Sequence, residues 1–270
     1  MSAAPKLIQQ KARSCFFIDY NRAMQRDHTL LSRFPKQRPE LPEAFRKIYA
    51  EHYKRNREGG SPASSLSQKM ESWMHRKVAE DVARGLRQCS TLEIGAGNLN
   101  HLRYEPVSGR YDAVEPLADV VSNSAQRPRV TNVYRDLAEI GDQRYDRIIS
   151  IAAFEHYCDL PDVVARCASL LAPQGQLRIA VPSDGTLLWT LGWKVTTGLE
   201  FRLKYGLDYG VLMKHEHVNT AAEIGGVLRM FFKTVQRSVF GISPGLSFYQ
   251  FFECGGPLPP GEGRAAKRPG

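Results

Sequence analysis

Short apolar runs and stretches of helical spacing alternate through the middle of this chain. The runs Thr91–Ile94, Tyr111–Glu115, Val130–Tyr134, Tyr145–Ile151 and Gln176–Val181 predict five strands. Between them, Leu117 to about Ala125 and Leu160–Leu171 predict helices. The second is opened by Asp159 and Pro161 and closed near Pro173 and Gly175. A helix or turn is expected near Asn98–Tyr104. The unbroken run Ile148-Ile149-Ser150-Ile151 belongs to a strand covered on both faces, so the alternation predicts a parallel α/β sheet. Upstream, Met70, Trp73, Met74 and Val78 predict a helix from Ser65 or Ser67 to about Arg87, packed beside the first strand. Downstream, Thr220 caps a helix through about Met230. Phe232–Phe240 and Ser247–Glu253 then read as a hairpin joined by Gly241-Ile242-Ser243-Pro244-Gly245.

Three regions break this rhythm. Residues 1–60 form a basic extension, helical from Glu43 to Tyr53 and interrupted by Pro35, Pro39 and Pro42. Residues 183–219 are too long for a connection and rich in aromatics (Trp189, Trp193, Phe201, Tyr205, Tyr209). They read as a helical cap inserted into a domain of residues 61–254. Residues 255–270 read as a disordered tail.

Charge sharpens this division. The chain of 270 residues carries a net charge of +9, yet residues 1–60 hold thirteen Lys and Arg against six acids. The domain itself is close to neutral, whereas nucleic-acid enzymes line their cleft with basic residues. No apolar run is long enough to cross a membrane. The five cysteines are scattered and contain no C-x-x-C pair, which fits a reducing, cytoplasmic compartment.

The chemistry-bearing residues fall at the carboxyl ends of successive strands, the edge where open α/β sheets bind ligands. After strand 1 comes Glu93-x-Gly95-x-Gly97-Asn98, a loop that brings backbone close to a ligand and stands where a helix is expected to begin. Glu115-Pro116 ends strand 2, where a carboxylate can accept the hydroxyls of a ribose. Asp136-Leu137 follows strand 3, where an acid can accept an adenine amino group. A dinucleotide fits poorly: the third glycine of its fingerprint is replaced by Asn100, and Glu93 would repel a pyrophosphate. S-adenosylmethionine, which brings an ammonium and a sulfonium and no phosphate, fits the acid before the glycines.

The stretch from about Ser90 to Glu253 resembles the class I S-adenosylmethionine-dependent methyltransferases of the type 11 small-molecule group. The resemblance rests on Leu92-Glu93-Ile94-Gly95-Ala96-Gly97, Val114-Glu115-Pro116, Tyr145–Ser150 running into Phe154-Glu155-His156, and Leu171-Ala172-Pro173-Gln174-Gly175. Leu99 stands where many members carry a third glycine. The resemblance implies a doubly wound, mostly parallel seven-stranded Rossmann-like sheet with an antiparallel last strand. It also implies roles: Gly95 and Gly97 at the methionine moiety, Glu93 at its ammonium, Glu115 at the ribose, and Asp136 and Leu137 beside the adenine. Ile151–Ala153, with Ala152 at the centre, would lie by the reactive methyl.

A hydroxyl acceptor needs a base, and the candidates are His156, His215 and His217. His156 follows strand 4. His215-Glu216-His217 ends the cap; two histidines are too few for a metal, and no metal site is expected. Ile151-Ala152-Ala153-Phe154 lacks the Pro-Pro motif of nucleic-acid amino methyltransferases, and no proline precedes Cys158 as in cytosine C5 enzymes. The leading expectation is methyl transfer to a small-molecule or glycan-type acceptor, at oxygen. The alternatives are an RNA or protein methyltransferase docked through residues 1–60, and a non-catalytic cofactor-binding scaffold. The pattern leaves the oligomeric state open.

Overall fold

A computed structural model of the chain describes residues 29–49, 65–83, 85, 88–106 and 109–258. Most of the basic extension and residues 259–270 lie outside the described residues.

The sheet has seven strands: β1 (Thr91–Ile94), β2 (Tyr111–Val114), β3 (Asn132–Tyr134), β4 (Tyr145–Ile151), β5 (Leu171–Pro182), β6 (Phe232–Ser243) and β7 (Leu246–Pro257). Their order is β3-β2-β1-β4-β5-β7-β6. β1 to β5 are parallel, and β7 runs antiparallel to both β5 and β6. This is the expected doubly wound sheet with an antiparallel last strand. β7 extends to Pro257, paired with Phe232, so residues 255–257 are strand where a disordered tail was expected.

Successive side chains alternate between two cores. Leu92, Ile94, Ile148, Leu177 and Ile179 face one layer with helices Leu160–Leu170 and Ala221–Phe231. Ala113, Ile149, Ala180 and Phe251 face the other with Met74 and Val78 of the helix Ser65–Val78. That last helix crosses β4, β5 and β7 instead of lying beside β1. Its end is fixed by buried charge. Arg147 of β4 reaches Asp81 and Glu105, and Arg178 of β5 reaches the carbonyls of Lys77 and Val78. Strands that read as apolar therefore carry four buried charged side chains, Glu93, Asp112, Arg147 and Arg178, each with a partner.

After β1 no regular helix forms. A single 3-10 turn, Asn100–Arg103, takes its place. Gly97 at φ 53° and Leu99 at φ 62° are both left-handed, and a right-handed helix cannot start through them. Leu99 adopts the conformation a glycine favours at that position, fully buried and at a cost of about 1–2 kcal/mol.

The cap comprises helices Leu187–Trp193, Leu199–Tyr205 and Tyr209–Glu216, the first two joined by a π turn at Lys194–Gly198. Leu187, Leu191, Val195, Leu199 and Leu203 recur every fourth residue and are all exposed on its outer side. The inner side packs Phe201 and Leu212 against Leu41 and against Phe45 of the helix at residues 43–49. The described part of the extension thus packs in two places, Leu30 and Phe34 on the main core and Leu41 and Phe45 in a separate small core with the cap.

Candidate functional site

Gly95 sits at φ 69°, with its backbone N–H on the Val114 carbonyl at 2.9 Å. A Cβ there would come within 2.5 Å of the Ala153 Cβ, so only glycine lets β1 and the β4 turn close. At Gly97 a Cβ would meet nothing within 4 Å; that glycine serves its left-handed φ and lines open cleft. Glu115, buried, accepts the Gly97 N–H at 2.9 Å through one oxygen and the Leu117 N–H at 3.1 Å through the other. It thereby fixes the two loops to each other.

Two cavities open at this edge. The first, about 380 Å³, is lined by Glu93, Gly95, Gly97, Asn98, Ala152, Glu155, His156, Trp189, His217 and others from the helix Ser65–Val78. The second, about 700 Å³, is lined by Gly95, Gly97, Glu115, Ala152, His156, His215, Glu216 and His217, with Arg38 and Tyr49 from the extension. Gly95, Gly97, Ala152, His156 and His217 belong to both, so the cleft is continuous. Ala152 is itself left-handed, at φ 50°.

Three of the expected cofactor residues stand elsewhere. Pro116 and Asp136 are exposed and Leu137 is buried in the core; none of them lines either cavity. Asp136 instead caps the turn Leu137–Glu139 by accepting the Ala138 N–H at 2.7 Å.

The first cavity is acidic. Among the described residues that line it are Glu71, Glu93 and Glu155, and no Lys or Arg. Burial pushes the Glu93 carboxyl up to about 8, partly opposed by the hydrogen bond it accepts from the Tyr111 hydroxyl at 2.8 Å. Burial also raises Glu155, against the pull of His156 and His217. Glu155 Oε2 is buried without a hydrogen-bond partner.

The three histidines divide. His215 contacts other partners, its Nδ1 on the Pro39 carbonyl at 2.7 Å and its ring edge-on to Tyr49. His156 and His217 meet edge to face, 5.1 Å between ring centroids. His156 Nδ1 donates to the Glu216 carbonyl at 2.8 Å. His217 Nδ1 is bound to Asp184 Oδ2, whose other oxygen accepts the Trp189 indole N–H at 2.7 Å. Burial would lower the His217 imidazole, but the hydrogen bond and charge of Asp184, with Glu155 and Glu216 beyond, outweigh it and leave it raised. The extension completes the wall: Arg38 donates to the carbonyls of His156 (2.7 Å), His215 and Glu216, and the Tyr49 hydroxyl to Glu216.

Sequence reasoning missed Asp184, Arg38 and Tyr49, and gave Glu155 no role. Asp184 could have been found, since it follows β5 at the same edge as the acids after β2 and β3. Arg38 and Tyr49 carry no such signal.

No protein-family model matches the chain, and no curated protein sequence matches it. Solved structures match in fold. An O-methyltransferase family protein from Burkholderia thailandensis is 17% identical, with a TM-score of 0.52 over 88% of this chain and 71% of that one. An S-adenosylmethionine-dependent methyltransferase from Thermotoga maritima is 13% identical, at 0.51 over 78% and 97%. The magnesium protoporphyrin IX methyltransferase of Synechocystis, solved with S-adenosylmethionine bound, is 14% identical, at 0.51 over 81% and 99%. The chain has the fold of class I methyltransferases.

Proposed function

We propose that the protein is an S-adenosylmethionine-dependent methyltransferase that methylates a small-molecule or glycan-type acceptor at oxygen, in the cytoplasm. The observation that carries this reading is the first cavity's lining: a left-handed glycine loop, three carboxylates and no Lys or Arg among the described residues, opening onto paired histidines. That lining suits a cationic ligand, which favours the charged form of the buried carboxyls, and offers a phosphate no Lys or Arg among the described residues. Glu93 lies where an ammonium would draw its proton off. Glu115 fixes the loop that would carry the ribose.

When bound, the cofactor supplies an electrophilic methyl carbon and a neutral thioether leaving group. The chain's own residues position the acceptor and take its proton. Asp184 holds His217 through Nδ1, which directs Nε2 at the cleft as the proton acceptor. The His217 Nε2 would hold the proton that the acceptor hydroxyl gives up. His156, anchored on the Glu216 carbonyl, positions the acceptor.

Two of the described cations of the extension are taken up inside the fold and are not free to serve a nucleic-acid arm. Lys36 pairs with Glu223 at 2.8 Å, and Arg38 is engaged by three carbonyls. Calorimetric titration with S-adenosylmethionine tests the cofactor, and transfer of labelled methyl groups to small-molecule and glycan fractions tests the acceptor. Glu115→Ala is expected to weaken cofactor binding about 10- to 100-fold, from loss of two buried hydrogen bonds. No binding by the wild type, or unchanged binding by the variant, would sink the reading.

A further inference from the structure

Glu155, His156 and His217 each offer one ligand atom, and the three atoms lie within 4.8 Å of one another. They come from the turn after β4 and from the end of the cap. Sequence spacing had paired His217 with His215, whose Nδ1 is held by the Pro39 carbonyl and which is not part of this group. The fold supplies a carboxylate and a second imidazole in its place.

We propose that this triad is a binding site for a first-row divalent metal ion of the Zn²⁺ class. Four observations converge. Two imidazoles and one carboxylate are a donor set that favours such ions over Mg²⁺ or Ca²⁺. Both histidines are already anchored through Nδ1, His156 on the Glu216 carbonyl and His217 on Asp184. Metal-bound histidines are oriented in this way, with Nε2 left for the ion. His156 Nε2 stands 3.9 Å from Glu155 Oε1. Glu155 lines the first cavity, and its Oε2 is buried with no hydrogen-bond partner, the condition of a carboxylate built to receive a cation.

Ligands at about 2.1 Å from an ion stand about 3.4 Å apart in a tetrahedron, so the triad must close by about an ångström. The His156 side chain, 33% exposed, has room to turn. Three protein ligands leave positions open on the cleft side. The inference deepens the methyltransferase reading and rests on it for the ion's use. An acceptor hydroxyl bound there loses its proton to solvent more readily, and its oxygen is held facing the methyl. With both Nε2 atoms on the ion, the metal takes over from the His217 base.

The test uses the full chain, stripped by chelator, titrated with Zn²⁺ alone and then with Co²⁺ for its visible absorption. One equivalent is expected to bind, undisplaced by millimolar Mg²⁺. Glu155→Gln and His217→Gln should each weaken binding tenfold or more, whereas His215→Ala should keep it. Either variant suffices if the other fails to fold, as judged by circular dichroism. Absence of binding in the wild type, or unchanged binding in a folded triad variant, overturns the site. No cofactor enters the titration. A chain that binds Zn²⁺ but not S-adenosylmethionine defeats only the enzymatic reading, and the converse defeats only the metal site.

Discussion

The two ends of the cleft are built by different means. At the β1–β2 end, the wall is backbone: two glycines, a strained Leu99 and a carboxylate that accepts two N–H groups within 24 residues of chain. At the β4–cap end, the wall is side chains drawn from residues 38, 49, 155, 156, 184 and 215–217, joined by hydrogen bonds that span from 33 to 178 residues of sequence. The first end is fixed by local conformation and shape. The second is fixed by charge and by packing of the cap. A site that must hold one constant ligand and one variable one can be divided in this way, since local geometry is hard to alter and a cap is not.

Substitutions can break the contrast from either side. The largest effect is expected at the cap end. Asp184→Asn removes the charge that orients His217, and turnover should fall about 10²- to 10⁴-fold. Cofactor affinity, measured calorimetrically, should stay within about threefold on the same reasoning; a parallel loss of affinity would mean that the two ends are one unit. At the other end the effect should be on stability and cofactor binding together. Gly95→Ala drives a Cβ to 2.5 Å from Ala153 and should cost about 2–4 kcal/mol in denaturant unfolding. Gly97→Ala, with open space around it, should cost only the left-handed strain of about 1–2 kcal/mol. Equal costs would mean that the Ala153 contact does not matter.

The smallest effect concerns protons. The Glu93 pKa is raised to about 8 by burial. Between its ordinary value and about 8, the folded chain keeps a proton that the unfolded chain releases. Wild-type stability should therefore fall across this window as pH rises, relative to Glu93→Gln. An ammonium bound beside Glu93 favours the carboxylate. Cofactor binding near pH 7 should accordingly release up to about one proton, read from calorimetry in buffers of different ionisation heat. No release would place the ammonium elsewhere.

The same contrast explains what was legible in the sequence. β1 and β4 fall at their expected residues, because buried parallel strands announce themselves as apolar runs. The glycine loop and Glu115 were visible because their function depends on spacing along the chain. Of the helix or turn expected near Asn98–Tyr104, a turn formed, since Leu99 takes a left-handed conformation that no propensity assigns to leucine. Asp136 caps a turn and lines neither cavity: an acid after a strand gives the same sequence signal for a cap and for a ligand. Much of the cap end was opaque because Arg38 and Tyr49 acquire meaning only from partners far along the chain.

Arg38 carries one more consequence, and it concerns the order in which the protein is made. It is synthesised 118 residues before His156 and 178 before Glu216, whose carbonyls it holds. At ordinary translation rates the gap to Glu216 is roughly 10–40 s. Throughout that interval the first wall of the cleft has been made and the group it must grip does not yet exist. The earliest described segment of the nascent chain is among the last to find its place, and the cleft is finished from its beginning.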